Sequence, residues 1–186
     1  MARTGIDDLE DLHALRLDEA GRRELLDTAT ECVFTFASPA GWPSGVVMSF
    51  LYAEDRLWLT AVAGRAHAQA IRQDPRVTIV VSNAGTALAG RRMIALRGVA
   101  FLHADTETKR WFLPRFAAKL APADPDAFVR LLDSPERVVV EVRPVHVTAS
   151  HDSRKMPGDG RGGQRSPATK TPQNVTTEKS TERNLA

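Results

Sequence analysis

Cysteine is all but missing from this 186-residue chain, where Cys32 stands alone. A single thiol closes no internal disulfide and builds no multi-cysteine zinc or iron–sulfur centre. Its place between a helical stretch and an apolar strand gives it the character of a small buried hydrophobe rather than a nucleophile. The five histidines, at 13, 67, 103, 146 and 151, show no metal-ligand spacing. His146 and His151 lie an odd number of residues apart along a strand and so face opposite ways, and no metal site is expected. No Gly-x-Ser-x-Gly elbow anchors hydrolase chemistry. No apolar run approaches the ~18 residues of a membrane-spanning helix, and nothing recurs with the roughly 20–50-residue period of a repeat protein. Met1 to Asp8 turn acidic where an export signal would carry an apolar core, which predicts a cytoplasmic protein.

The net charge of +2 conceals a split. Of the 25 Lys and Arg, 18 fall in residues 1–152 and seven in 153–186, whereas the 23 Asp and Glu divide as 20 and three. The body is weakly acidic and the last segment basic. From Ser153 onward the apolar residues are Met156, Ala168, Val175, Leu185 and Ala186, set among four Gly, three Pro and many Ser and Thr. Such a composition buries too little surface to offset its ordering entropy, so residues 153–186 are predicted to form a disordered basic tail. No aromatic residue follows Phe128. The tail therefore has nothing to stack on bases, and nucleic acid is not expected as a partner. Gly158 to Gly163 imitates a dinucleotide fingerprint but lacks the preceding strand and following helix that would give it a phosphate to hold.

With 42% hydrophobic content, the body is long enough for one globular domain. Residues 1–30 read as a helical lead-in, with Asp18 capping a helix over Glu19 to Thr30. A domain over 31–152 follows. Glu31 to Ser38 is β-branched and aromatic, and Pro39-Ala40-Gly41-Trp42-Pro43 breaks it. Strands at Ser44–Ala53 and Arg56–Val62 come next with short connections, the mark of an antiparallel meander. An Ala-rich helix over Gly64–Gln73 stops at Asp74-Pro75. The strand Arg76–Ser82 leads through a loop to Met93–His103, where Gly98 marks a bulge or a close backbone approach. Helices are expected at Asp105–Leu120, kinked or divided by Pro114, and at Asp126–Leu132, before a sixth strand at Val138–Thr148. Six antiparallel strands with peripheral helices suggest a small barrel, which hides strand edges.

The most informative local pattern is a strand followed by Gly64, then Arg65 and His67 at the start of a helix. A helix N-terminus presents unpaired N–H groups and a partial positive charge, Gly permits close backbone approach, and Arg and His add side-chain donors. With Thr60 offering a hydroxyl from the preceding strand, a terminal phosphate is a reasonable guest. A first-turn Arg on a solvated helix looks the same, and spacing alone does not separate the two.

Phe36-Ala37-Ser38-Pro39-Ala40-Gly41-Trp42-Pro43, the strand Val46 to Tyr52, Leu57-Trp58-Leu59-Thr60-Ala61, Ile71-Arg72-Gln73-Asp74-Pro75-Arg76-Val77 and Ala95-Leu96-Arg97-Gly98-Val99-Ala100 follow one another in an order that resembles the pyridoxamine 5'-phosphate oxidase-like, flavin-binding split β-barrel proteins. That family includes users of FMN and of the deazaflavin F420. The resemblance covers roughly residues 25–152. It implies a mainly β (α+β) fold, a six-stranded antiparallel split β-barrel with peripheral helices. It also implies a homodimer with the cofactor in the groove between barrels, its phosphate at Thr60, Ala61, Arg65, Ala66 and His67, and its ring against Val47, Met48 and Ser49. Two departures stand out. His67 replaces the Lys or Arg usual in the family, which makes the charge there depend on pH. The Arg-Leu-x-Pro ending of true pyridoxamine phosphate oxidases is missing, and Val138-Val139-Val140-Glu141-Val142-Arg143-Pro144 stands in its region, which argues against vitamin B6 oxidation.

The resulting expectation is an FMN- or F420-dependent oxidoreductase that moves a hydride equivalent to or from a small substrate, the cofactor performing the chemistry. The competing expectation is a non-catalytic barrel that holds flavin or haem or senses redox state. Arg154 and Lys155 either begin the tail or reach toward the partner's cofactor.

Overall fold

The computed structural model describes residues 12–156. Its elements run α1 (Glu19–Thr28), β1 (Glu31–Ala37), β2 (Pro43–Ser49), β3 (Leu51–Ala53), β4 (Arg56–Val62), α2 (Ala66–Gln73), β5 (Arg76–Ser82), β6 (Arg92–His103), α3 (Thr106–Leu120), α4 (Pro125–Leu132) and β7 (Arg137–Asp152). The strands form one antiparallel sheet in the order β2-β1-β5-β6-β7-β4-β3. β2 and β3 stand at opposite ends of that order, yet only Phe50 separates them. The sheet must therefore curl until its two ends meet at one residue.

Phe50 is wholly buried, and its N–H donates to the Thr30 carbonyl at 3.0 Å. This interrupts the continuous strand expected over Ser44–Ala53. The first part pairs with β1 and the last three residues with β4, so the sheet has seven strands where the sequence suggested six. β7 also outruns its predicted end, because its distal half pairs with β6 after its partnership with β4 stops at Val142.

Alternation along the strands sends Phe34, Leu57, Leu59, Ile79, Val81, Ile94, Val140 and Val142 into the barrel. Leu25 and Leu26 of α1 close one end, so the lead-in shares the main core. On the outer surface α3 buries Phe112, Leu113 and Phe116 against Trp58 and Val139, and Trp58 packs on Trp111 with ring centres 4.6 Å apart. Pro114 sits inside α3 without dividing it. The single Cys32 is buried, and burial pushes its thiol pKa up to about 12. Among the described residues no helix is long and apolar enough to cross a membrane.

The order extends past residue 152. Ser153–Lys155 form a 3-10 turn in which the Ser153 N–H donates to the Arg91 carbonyl at 2.9 Å and the Arg91 N–H to Ser153 Oγ at 2.8 Å. Arg154 pairs with Asp152 at 2.6 Å, and Lys155 Nζ donates to the Arg16 carbonyl at 2.7 Å. Both cations, assigned from sequence either to the tail or to a cofactor, are engaged with their own chain. The rest of the predicted tail, 157–186, lies outside the described residues.

Gly98 meets the β6–β7 ladder at a register shift. A Cβ there would stand 2.7 Å from Val142 Cγ1 and 2.8 Å from the Arg143 carbonyl oxygen, a backbone atom that has little room to yield. Gly98→Ala is expected to lower stability by roughly 1–3 kcal/mol through overpacking. Urea unfolding would show a lower midpoint with an unchanged slope. Gly64→Ala, where nothing lies within 4 Å of the added carbon, serves as the control and should leave the midpoint almost unmoved.

Candidate functional site

Curling brings two strand edges to one place without pairing them. β2 is bonded only to β1, and β3 is so short that it covers only Arg56–Trp58 of β4, leaving residues 59–62 bonded to β7 alone. Between these free edges lies a cleft of about 640 Å³. Val46 to Ser49 form one side and Thr60 to Val62 the other. The turn into α2 brings Arg65, Ala66 and His67 to it, and Phe116, Leu120, Phe128 and Leu132 of the α3–α4 pair wall it with Arg137.

All eight residues singled out from sequence, Val47, Met48, Ser49, Thr60, Ala61, Arg65, Ala66 and His67, line this cleft. Their side chains do not all do what the sequence suggested. Val47 is 67% exposed, whereas Met48 packs on the barrel core. Thr60 Oγ1 donates to the Val138 carbonyl at 2.8 Å. Its one proton is thereby used within the sheet, so the hydroxyl can accept from a ligand but has nothing to donate to a phosphate.

His67 is corrected more strongly. Its ring lies against Phe34 and Phe36, with centres 6.3 and 6.2 Å away, and its Nε2 is buried without a partner. Burial first, and the neighbouring Arg65 second, hold its pKa below the ordinary histidine value. The imidazole is therefore neutral at pH 7 and does not replace the missing Lys or Arg as a cation. Arg65 is the N-cap residue of α2 but makes no side-chain capping bond, whereas Asp18, Asp105 and Asp124 cap the other three α-helices. The first N–H groups of α2 thus keep no side-chain acceptor.

Arg137 was not singled out from sequence. It opens β7 directly beside Val62, the last residue of β4, and the Ala63 N–H donates to the Glu136 carbonyl at 2.8 Å. That pairing sets Arg137 at the same mouth as Arg65. Its Nε donates to the Leu132 carbonyl at 2.7 Å, and burial, with Arg65 second, lowers its pKa. Among the described residues no Asp or Glu lines the cleft. Elsewhere several charged groups are paired. Glu141, buried on the outer face of β7, meets Arg56 at 2.8 Å, His103 at 2.9 Å and Arg143 at 2.6 Å. A second cleft of about 650 Å³, over β1, β5 and β6, contains Asp74 paired to Arg76 at 2.6 Å.

A curled antiparallel sheet closed at one point and open beside it defines a split β-barrel with helices on its outside. The sequence profile of the pyridoxamine 5'-phosphate oxidase family matches residues 19–151, and the chain belongs to that family. The fold is similar to that of a conserved hypothetical protein from Mycobacterium tuberculosis, with TM-score 0.65 and 19% identity over 81% of this chain and 96% of that one. It is similar to an F420 reductase, with TM-score 0.53 and 22% identity over 68% of this chain and 94% of that one. It is also similar to the heme storage protein from Vibrio cholerae, with TM-score 0.57 and 13% identity over 72% of this chain and 93% of that one. At these identities the likeness is one of fold. A comparison with curated proteins finds no sequence match.

The buried imidazole has a pH signature. Above about pH 6.5 it is neutral in folded and unfolded chains alike, and below that the unfolded chain takes up a proton that the fold resists. His67 therefore draws stability down as pH falls from that value toward its lowered folded pKa. Urea midpoints of wild type and His67→Phe, measured at neutral and mildly acid pH, should diverge. The variant is expected to lose less stability on acidification, and an equal loss would place the imidazole in water.

Proposed function

We propose that the split holds a phosphorylated flavin or deazaflavin, FMN with F420 as the alternative, and that the protein is an oxidoreductase moving a hydride equivalent between that ring and a small substrate. The observation that carries this reading is a mouth with two guanidinium groups, Arg65 and Arg137, on a cleft lined, among the described residues, by no carboxylate. Like charges brought together in partly buried surroundings raise each other's free energy, and a phosphate between them turns repulsion into attraction. The uncapped start of α2 adds N–H groups suited to the same anion. Gly64 has an ordinary backbone conformation and open space where a Cβ would stand, so the turn leaves room at the phosphate end.

Beyond the mouth the lining changes character. Phe116, Leu120, Phe128 and Leu132 offer apolar surface to a planar ring, and the unpaired edges at Val46–Ser49 and Thr60–Val62 carry backbone donors and acceptors for its heteroatoms. The volume suits a ligand of this size, since such clefts span roughly 300–1,000 Å³. When bound, the ring supplies the electron chemistry. The chain binds the phosphate, orients the ring by its edges and keeps water off one face. That division accounts for a site without a nucleophile or a general-base pair. Val33 and Val47, cross-strand neighbours and both exposed, extend apolar surface at the rim, which supports a homodimer completing the groove. The likeness to an F420 reductase supports keeping the deazaflavin in view.

Titration of the apo protein with FMN, F420 and riboflavin, followed by ring fluorescence, tests the reading. Arg65→Ala removes a charge-assisted contact worth on the order of 1.5–3 kcal/mol, about a ten- to more than hundredfold weaker Kd for the phosphorylated ligand. Riboflavin affinity should hardly move. Failure of both FMN and F420 to bind at tens of micromolar would overturn the proposal, and binding without turnover would leave a flavin carrier.

A further inference from the structure

α4 is the least anchored wall of the cleft. None of its residues is buried, and Leu131 is 72% exposed. Its principal neighbour is α3, through Phe128 stacked on Phe116 with ring centres 6.3 Å apart. Its first turn is capped locally by Asp124, whose carboxylate accepts the Ala127 N–H at 2.9 Å. Among the described residues the side-chain hydrogen bond that joins α4 to the barrel is the one from Arg137 Nε to the Leu132 carbonyl, at 2.7 Å. An element with little buried surface and one such tie is the kind that opens locally at small free-energy cost.

Arg137 thus has two neighbours of opposite meaning. A guanidinium is a rigid fork of five N–H donors, and Nε engages only one of them, which leaves the Nη groups for an anion. A cation at a helix C-terminus is favourable for the helix. Here that cation also lines a cleft with Arg65 and, among the described residues, no carboxylate, so an anion at the mouth meets two guanidinium groups.

We infer that α4 is a hinged wall which a bound phosphate holds closed through Arg137, bringing Phe128 and Leu132 against the ring of the ligand. This rests on the phosphorylated-cofactor reading above and adds to it a source of selectivity. A phosphate neutralises the pair, fixes the guanidinium fork by its Nη groups and leaves Nε clamped to the end of α4. A ligand with the same ring but no phosphate leaves the wall loose, so the phosphate contributes to affinity twice, once by direct contact and once by closing the apolar side of the cleft. Water is kept from the ring only when the correct end is in place.

Amide hydrogen exchange on the full chain, with residues 126–132 as the reporter, tests this. With saturating FMN, exchange across that segment is expected to slow by about tenfold or more, while saturating riboflavin changes it by less than about twofold. Arg137→Gln should still take up FMN through Arg65, with a weaker Kd, yet lose the protection of 126–132 at saturation. Bound FMN that leaves α4 exchanging as before, or equal protection by riboflavin, would overturn the latch while leaving the cofactor reading intact. If FMN does not bind at all, the cofactor reading fails and inorganic phosphate at millimolar concentration decides the latch. Slowed exchange in 126–132 then supports it, and unchanged exchange overturns it.

Discussion

A single residue has to serve both ends of the sheet. Phe50 lies between a strand bonded to β1 and a strand bonded to β4, with its ring in the core and its N–H on the Thr30 carbonyl. The barrel is thus closed at a point rather than along a seam. Everything at the site depends on this. Beyond the point of closure the two edges diverge, α2 begins where they part, and β7 runs beside β4 so that its first residue faces the same opening. A longer β3 would zip β4 along its whole length and remove the cleft. The site is the part of the barrel that the hydrogen-bond ladder does not reach.

Charge is distributed with the same economy. On the outer face Arg56, His103 and Arg143 surround the buried Glu141, and Asp152 holds Arg154, so these buried carboxylates are partnered. The mouth of the split is arranged differently. Arg65 and Arg137 share it with no carboxylate among the described residues, and burial beside two aromatic rings, with Arg65 second, lowers the pKa of the adjoining His67. Two guanidinium groups that face one concave opening put unfavourable electrostatics where a ligand can relieve them.

Much of this was legible in the residues. β-Branched and aromatic runs broken by Pro39-Ala40-Gly41-Trp42-Pro43 and Asp74-Pro75 located the strands, and a strand leading through Gly64 to Arg65 located the mouth. What escaped was long-range. Nothing in Val46 to Tyr52, a run without Gly or Pro, announces that Phe50 turns inward, because the bend is imposed by two different partners for its two halves. Arg137 gains its meaning only from lying beside Val62. The apolar face of α4 is evident from Phe128 and Leu132, yet the sequence does not say that it faces a cleft. Ser153–Lys155 read as tail by composition, and they are held by three bonds to Arg91 and Arg16, distant in sequence, that composition does not record.

The free edges of β2 and β4 carry a colloidal consequence as well. Unpaired strand edges are templates, as ready to accept another polypeptide as a ring with the right heteroatoms. The α3–α4 pair stands over this opening, and among the described residues no strand bridges the gap between its edges. A ligand seated there acts as a plug as much as a reagent, occupying the donors and acceptors through which copies of the protein would otherwise adhere. Exposure of these edges and occupancy of the cleft are then one property, and whatever fills the split also sets how readily two copies could meet edge to edge.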